Sequence, residues 1–111
     1  MVASYADLAA GALAQRFDIA VANFALLGKE SVDDLFAAIP RLLRPGGAFI
    51  VQTLHPLLAC GEQPYRDGWR AGSWAGIPGE FGEPAPWYFR TLECWTRLFR
   101  DHGLQLRELR E

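Results

Sequence analysis

Cysteine, histidine and methionine are scarce in this chain: two, two and one among 111 residues. Cys60 and Cys94 stand far apart and no C-x-x-C pair occurs, so neither a disulfide framework nor a zinc site is expected. Both are expected as reduced thiols in a cytoplasmic protein, with no metal. Long apolar runs are also missing; none approaches the ~20 residues of a membrane helix. The start, "MVASYADLAAGALAQRF", lacks the basic opening and continuous apolar stretch of a secretory signal. Neither sign of charge is in excess: 11 basic against 13 acidic residues leaves −2, which argues against nucleic acid as a partner. "RLFRDHGLQLRELRE" mixes its arginines with acids and reads as a solvated face. No internal repeat is present.

What is present suits one globular α/β domain, half apolar and 22% charged. Ser4 followed by Asp7 predicts a capping box opening a helix over 5–15. "FDIAVANFAL" at 17–26 begins as a nearly continuous apolar run. It predicts a strand at 17–23 buried on both faces, as in helix-covered parallel sheets. Ser31 is the expected N-cap of a helix over 31–43, with Asp33 and Asp34 favoured in its first turn. Val32, Leu35, Phe36, Ile39, Leu42 and Leu43 form its apolar stripe, and Pro40 should kink it or tighten its last turn. Pro45-Gly46-Gly47 should stop the helix and feed a second buried strand at 48–54, completing a right-handed βαβ unit.

Residues 55–88 change texture: six of the 11 glycines, five of the seven prolines and three of the four tryptophans fall there. A stretch this long is either disordered or a lid, and its aromatic residues favour an ordered lid. Thr91 caps a last helix over 92–102, with Leu92, Trp95, Leu98 and Phe99 facing inward and Gly103 ending it. "LQLREL" alternates and predicts an edge strand at 104–109.

"FDIAVANFAL", "LLRPGGAFIVQTLHP" and "WYFRTLECWTRLFRDHGLQL", in that order, resemble the later part of class I S-adenosylmethionine-dependent methyltransferases of the small-molecule type. The resemblance covers nearly the whole chain. It implies a partial Rossmann-like methyltransferase fold, with ligands bound where the strands end. Family members hold the cofactor's methionine part with a glycine-rich loop, and no G-x-G-x-G or D-x-G-x-G occurs here. The expectation is therefore the C-terminal part of a methyltransferase domain, inactive alone.

By the resemblance, Ser4 and Tyr5 would lie near the adenine of S-adenosylmethionine, with Ser4 as a plain helix cap the alternative. Asn23, Phe24 and Ala25 would pass beside the methionine and the transferred methyl, where the Phe24 ring could shield or attract the sulfonium. The alternative makes Asn23 a turn residue and Phe24 core. His55 could serve as general base toward a small-molecule methyl acceptor, or simply bond a loop group. Trp87, Tyr88 and Arg90 would line the acceptor pocket or form the lid's core. The strand at 17–23 would lack its central neighbour. Each unpaired backbone group buried there costs about 1–3 kcal/mol, so a homodimer through that edge is expected. The rival reading is a non-catalytic dimeric structural or interaction remnant. A half of a nicotinamide-binding fold is disfavoured, since its glycine fingerprint is equally absent.

Overall fold

The computed structural model describes residues 2–75 and 77–111. The chain is mixed α/β. Helix α1 (Tyr5–Ala9) opens on the expected capping box: the Asp7 amide donates to Ser4 Oγ over 3.1 Å, and the Ser4 amide to Asp7 Oδ2 over 2.9 Å. It stops well short of residue 15. Gly11 takes φ 89° and turns the chain, while the Arg41 guanidinium donates to the last carbonyls, of Leu8 and Ala9, at 3.2 and 2.7 Å.

Strand β1 (Phe17–Asn23), helix α2 (Glu30–Leu42) and strand β2 (Leu43–Gln52) form the anticipated βαβ unit, β1 pairing parallel with β2. The α2 stripe is buried in full. Its start differs from expectation: Lys29, not Ser31, is the N-cap and makes no side-chain cap bond. Ser31 Oγ instead folds back over Gly28, where an added Cβ would lie 2.1 Å from it.

Pro45-Gly46-Gly47 does not separate helix from strand. The helix ends at Leu42, and the three residues form a bulge inside β2. Between Phe17↔Leu43 and Ile19↔Ala48, β1 spends one residue where β2 spends four. Gly46 has φ 78°, and a Cβ at Gly47 would press on the carbonyls of Arg44 and Asp18 at 2.8 and 2.9 Å. Strand β2 ends at Gln52, short of residue 54, where its carbonyl accepts the Phe24 amide (2.8 Å).

Helix α3 (Pro56–Ala59) and an antiparallel pair, β3 (Gly68–Arg70) with β4 (Trp87–Phe89), occupy the 55–88 stretch. Arg70 ties it together by donating to Gln63, Pro64 and Arg66 while covering the Phe89 ring. Helix α4 (Leu92–Asp101) is capped by Thr91 and followed by Gly103 at φ 73°. Trp95 is buried, whereas Leu92, expected inside, is exposed.

The core lies on one side of the β1–β2 sheet. Ala20, Ala22, Phe49 and Val51 meet Val32, Leu35, Phe36, Ile39 and Phe99 there, with Phe36 edge-on to Phe49 and Phe99. Burial on both faces, expected for these strands, is not found: Ile19, Val21 and Ile50 are 57, 65 and 50% exposed. No described element packs on that face. The expected strand at 104–109 is also absent. The Leu104 amide closes α4 on the Phe99 carbonyl (2.9 Å) and its side chain joins the core. Leu106 and Leu109 then lie exposed with no strand beside them to pair with. Cys60 and Cys94 form no disulfide. No helix among the described residues is long and apolar enough to cross a membrane.

Candidate functional site

A parallel pair gathers its outgoing loops at one end, where amide and carbonyl groups leave the ladder free. At that end Asn23 closes β1, and Phe24 follows with φ 51°, a left-handed conformation that costs a non-glycine residue roughly 1–2 kcal/mol. The turn carries Ala25 toward α1, where Tyr5 Oη donates to its carbonyl (3.3 Å). Tyr5, Phe24 and Ala25 thus converge from segments twenty residues apart. Ser4 stands just before Tyr5 with its Oγ accepting in the cap. The Phe24 side chain is exposed.

Beyond β2, His55 caps α3. The Leu57 amide can only donate, so His55 Nδ1 accepts (3.2 Å) and the ring proton sits on Nε2, facing the Glu111 carboxylate. Both ring nitrogens are thereby engaged, and proton transfer from an acceptor requires one of these contacts to open.

Trp87, Tyr88 and Arg90 come from β4 and the residue after it. The Tyr88 amide donates to the Leu27 carbonyl (2.7 Å), hooking β4 onto the loop after β1. Arg90, 4% exposed, donates to the carbonyls of Gly28 (2.8 Å) and Lys29 (3.2 Å). Its guanidinium lies 4.9 Å from the Tyr88 ring and 5.2 Å from the Trp95 ring. Burial lowers its affinity for the proton, against the raising influence of Cys94, Asp33, Tyr88 and Asp67. These bonds make Arg90 a clamp on the entry to α2. Trp87, Tyr88 and Arg90 line a cavity together with Leu26, Leu54 and Pro56, and it encloses about 10 Å³, room for one water.

Several participants were invisible in the sequence. Glu111 meets His55 from 56 residues away. Asp67 accepts the Thr91 amide (2.7 Å) and, after burial itself, is the main influence holding the Cys94 thiol above its ordinary pKa. Tyr65 Oη accepts the Leu92 amide (2.8 Å). Asp67 and Tyr65 answer backbone amides, which carry no residue signature, and Glu111 meets His55 across a separation that spacing does not reveal. At the opposite end of the sheet a larger space of about 260 Å³ lies beside Leu8, Leu13, Arg16 and Arg41. Both arginines donate there to backbone carbonyls.

No protein-family model matches the chain, and no curated protein is similar enough to it to count as a relative. The fold itself is mixed α/β, with one parallel and one antiparallel pair of strands among the described residues.

Proposed function

We propose that the chain is the C-terminal portion of a Rossmann-like, S-adenosylmethionine-dependent methyltransferase domain acting on a small molecule, with no turnover of its own. The contact of Tyr5 with the Ala25 carbonyl carries this reading. It joins the turn beyond the carboxyl end of β1, the end where α/β sheets take their ligands, to a helix that the resemblance sets beside the cofactor. The strained, exposed Phe24, next in sequence to Ala25, supports the same reading. Ser4, Tyr5, Asn23, Phe24 and Ala25 supply one wall for a nucleoside. His55, Trp87 and Tyr88 stand on the acceptor side, with Arg90 fixing the loop behind them.

The residues present do not fit the whole cofactor. The cavity at the strand ends has room for one water, and the sequence has no G-x-G-x-G loop for the methionine part. A second reading, a non-catalytic dimeric module of the same fold, is favoured by the bare sheet face.

Titration with S-adenosylhomocysteine, followed by the amide resonances of Tyr5, Asn23, Phe24 and Ala25, separates the two. Saturable shifts confined to those amides support the methyltransferase reading. Unmoved amides at millimolar ligand leave the module.

A further inference from the structure

We infer that the space between the end of α1 and the last turn of α2 binds an organic carboxylate, an apolar tail below and the anionic head at the rim. The space lies at the amino-terminal ends of β1 and β2, away from the Tyr5–Ala25 contact, and the inference rests on neither reading above.

The walls come from segments that the fold brings together. Leu8 on α1 and Leu13 on the loop after it, both half-buried, meet Ala38 and Leu42 on α2, both buried. The space measures about 260 Å³ and opens to solvent. An apolar cavity of ~150 Å³ admits benzene, so there is room here for a body of roughly ten non-hydrogen atoms.

The rim is cationic. Arg16 and Arg41 line the space, and no acidic residue does. Asp18 pairs with Arg44 at 3.2 Å, and the ion pairs of the described residues include neither Arg16 nor Arg41. The carboxyl ends of α1 and α2 come together here, and bare carbonyls would repel an anion. Those carbonyls are already answered. Arg41 Nη2 donates to Leu8 and Ala9 at 3.2 and 2.7 Å, and Arg16 Nη1 donates to the Leu43 carbonyl, just past α2, at 3.5 Å. Each guanidinium is thus held through one nitrogen and carries further N–H groups in the same plane. Nε and Nη1 of Arg41, and Nε and Nη2 of Arg16, have no partner among the described residues. Arg41 Nη1 stands by Gly11, 4.0 Å from where a Cβ would be, and Gly11 also lines the space. A planar fork of this kind matches the two oxygens of a carboxylate. Apolar walls beneath such forks favour a carboxylate with a tail over a bare inorganic anion, which gains nothing from Leu8, Leu13 and Leu42.

Octanoate is the probe, titrated into the full chain and followed by the amide resonances of Leu8, Leu13 and Ala38 and the Nε–H resonances of Arg16 and Arg41. Saturable shifts at about 1 mM ligand or below are expected, with the amides of Phe24 and Ala25 unmoved. Octanamide keeps the tail without the charge, and inorganic phosphate keeps a charge without the tail. Each is expected to bind about tenfold more weakly or worse, the worth of a charge-assisted contact. Arg16→Gln changes an exposed residue whose one bond is long. It is expected to weaken octanoate by about tenfold with the circular dichroism unchanged, and Arg16→Lys to restore part of the loss. Unmoved resonances at about 10 mM octanoate, octanamide or phosphate binding as tightly as octanoate, or full affinity in a folded Arg16→Gln would each overturn the inference. S-adenosylhomocysteine is read at Asn23, Phe24 and Ala25, beyond the other end of β1, so either ligand can bind or fail without deciding the case of the other.

Discussion

Arg90 is the buried charge among the described residues, and its partners are peptide carbonyls and ring faces rather than a carboxylate. Removing it strands two carbonyls and empties the space between Tyr88 and Trp95. Arg90→Met should cost about 2–4 kcal/mol in urea unfolding. Arg90→Lys should recover less than half of that, because an ammonium lacks the planar fork that reaches both carbonyls while stacking on the Tyr88 and Trp95 rings. The sequence offered Arg90 as acceptor-pocket lining or lid core, and nothing local in it shows the carbonyls that the guanidinium reaches in a loop 61 residues back. Asp7 is the opposite case, legible from its spacing to Ser4. Bonds from the Ser4 amide and hydroxyl hold its pKa below the ordinary aspartate value. The folded value being the lower one, the cap's contribution is complete above the ordinary aspartate pKa and is lost as pH falls through the depressed value. The Ser4 amide shift should follow that acid transition, and Asp7→Asn should make it flat.

Among the elements, those drawn by periodicity were legible. The stripe of α2 and the continuous apolar run of β1 placed both to within a residue, because burial of a repeating face leaves a repeating record. The Pro-Gly-Gly bulge was misplaced because a helix stop and a strand bulge ask the same thing of the sequence, a residue free to take positive φ. The close approach at Gly47 shows which applies. Gly47→Ala should destabilise by about 2–3 kcal/mol, since both contacts are with backbone that cannot move aside. Gly46→Ala, with open space around its Cβ, should lose only about 1 kcal/mol to its left-handed φ. Equilibrium unfolding of the pair distinguishes a bulge from a simple helix stop. The alternation at 104–109 was a true pattern without a neighbour, and a strand needs one. The β3–β4 pair had the reverse history: three residues a side, joined across sixteen, leave too short a record for period 2 to stand out.

At the scale of the whole molecule, the sequence conveyed that β1 and β2 are apolar on both sides but not that only one side is filled from within. Alternation reports what a face prefers, and the covering has to be found elsewhere. Here α1, α2 and α4 all crowd one side. The candidate site was legible in the same partial way. The contact of Tyr5 with Ala25 and the small cavity at Trp87, Tyr88 and Arg90 both depend on where the backbone brings distant segments, which residue type and spacing do not record.

The one-sided sheet also changes what counts as a harsh condition for this chain. A self-contained fold is indifferent to how many of its kind share the solution. If half the shelter of β1 and β2 comes from a twin, that shelter follows mass action. Thinning the solution then strips the protein as surely as warming it, and scarcity in the cell would act as a solvent of its fold.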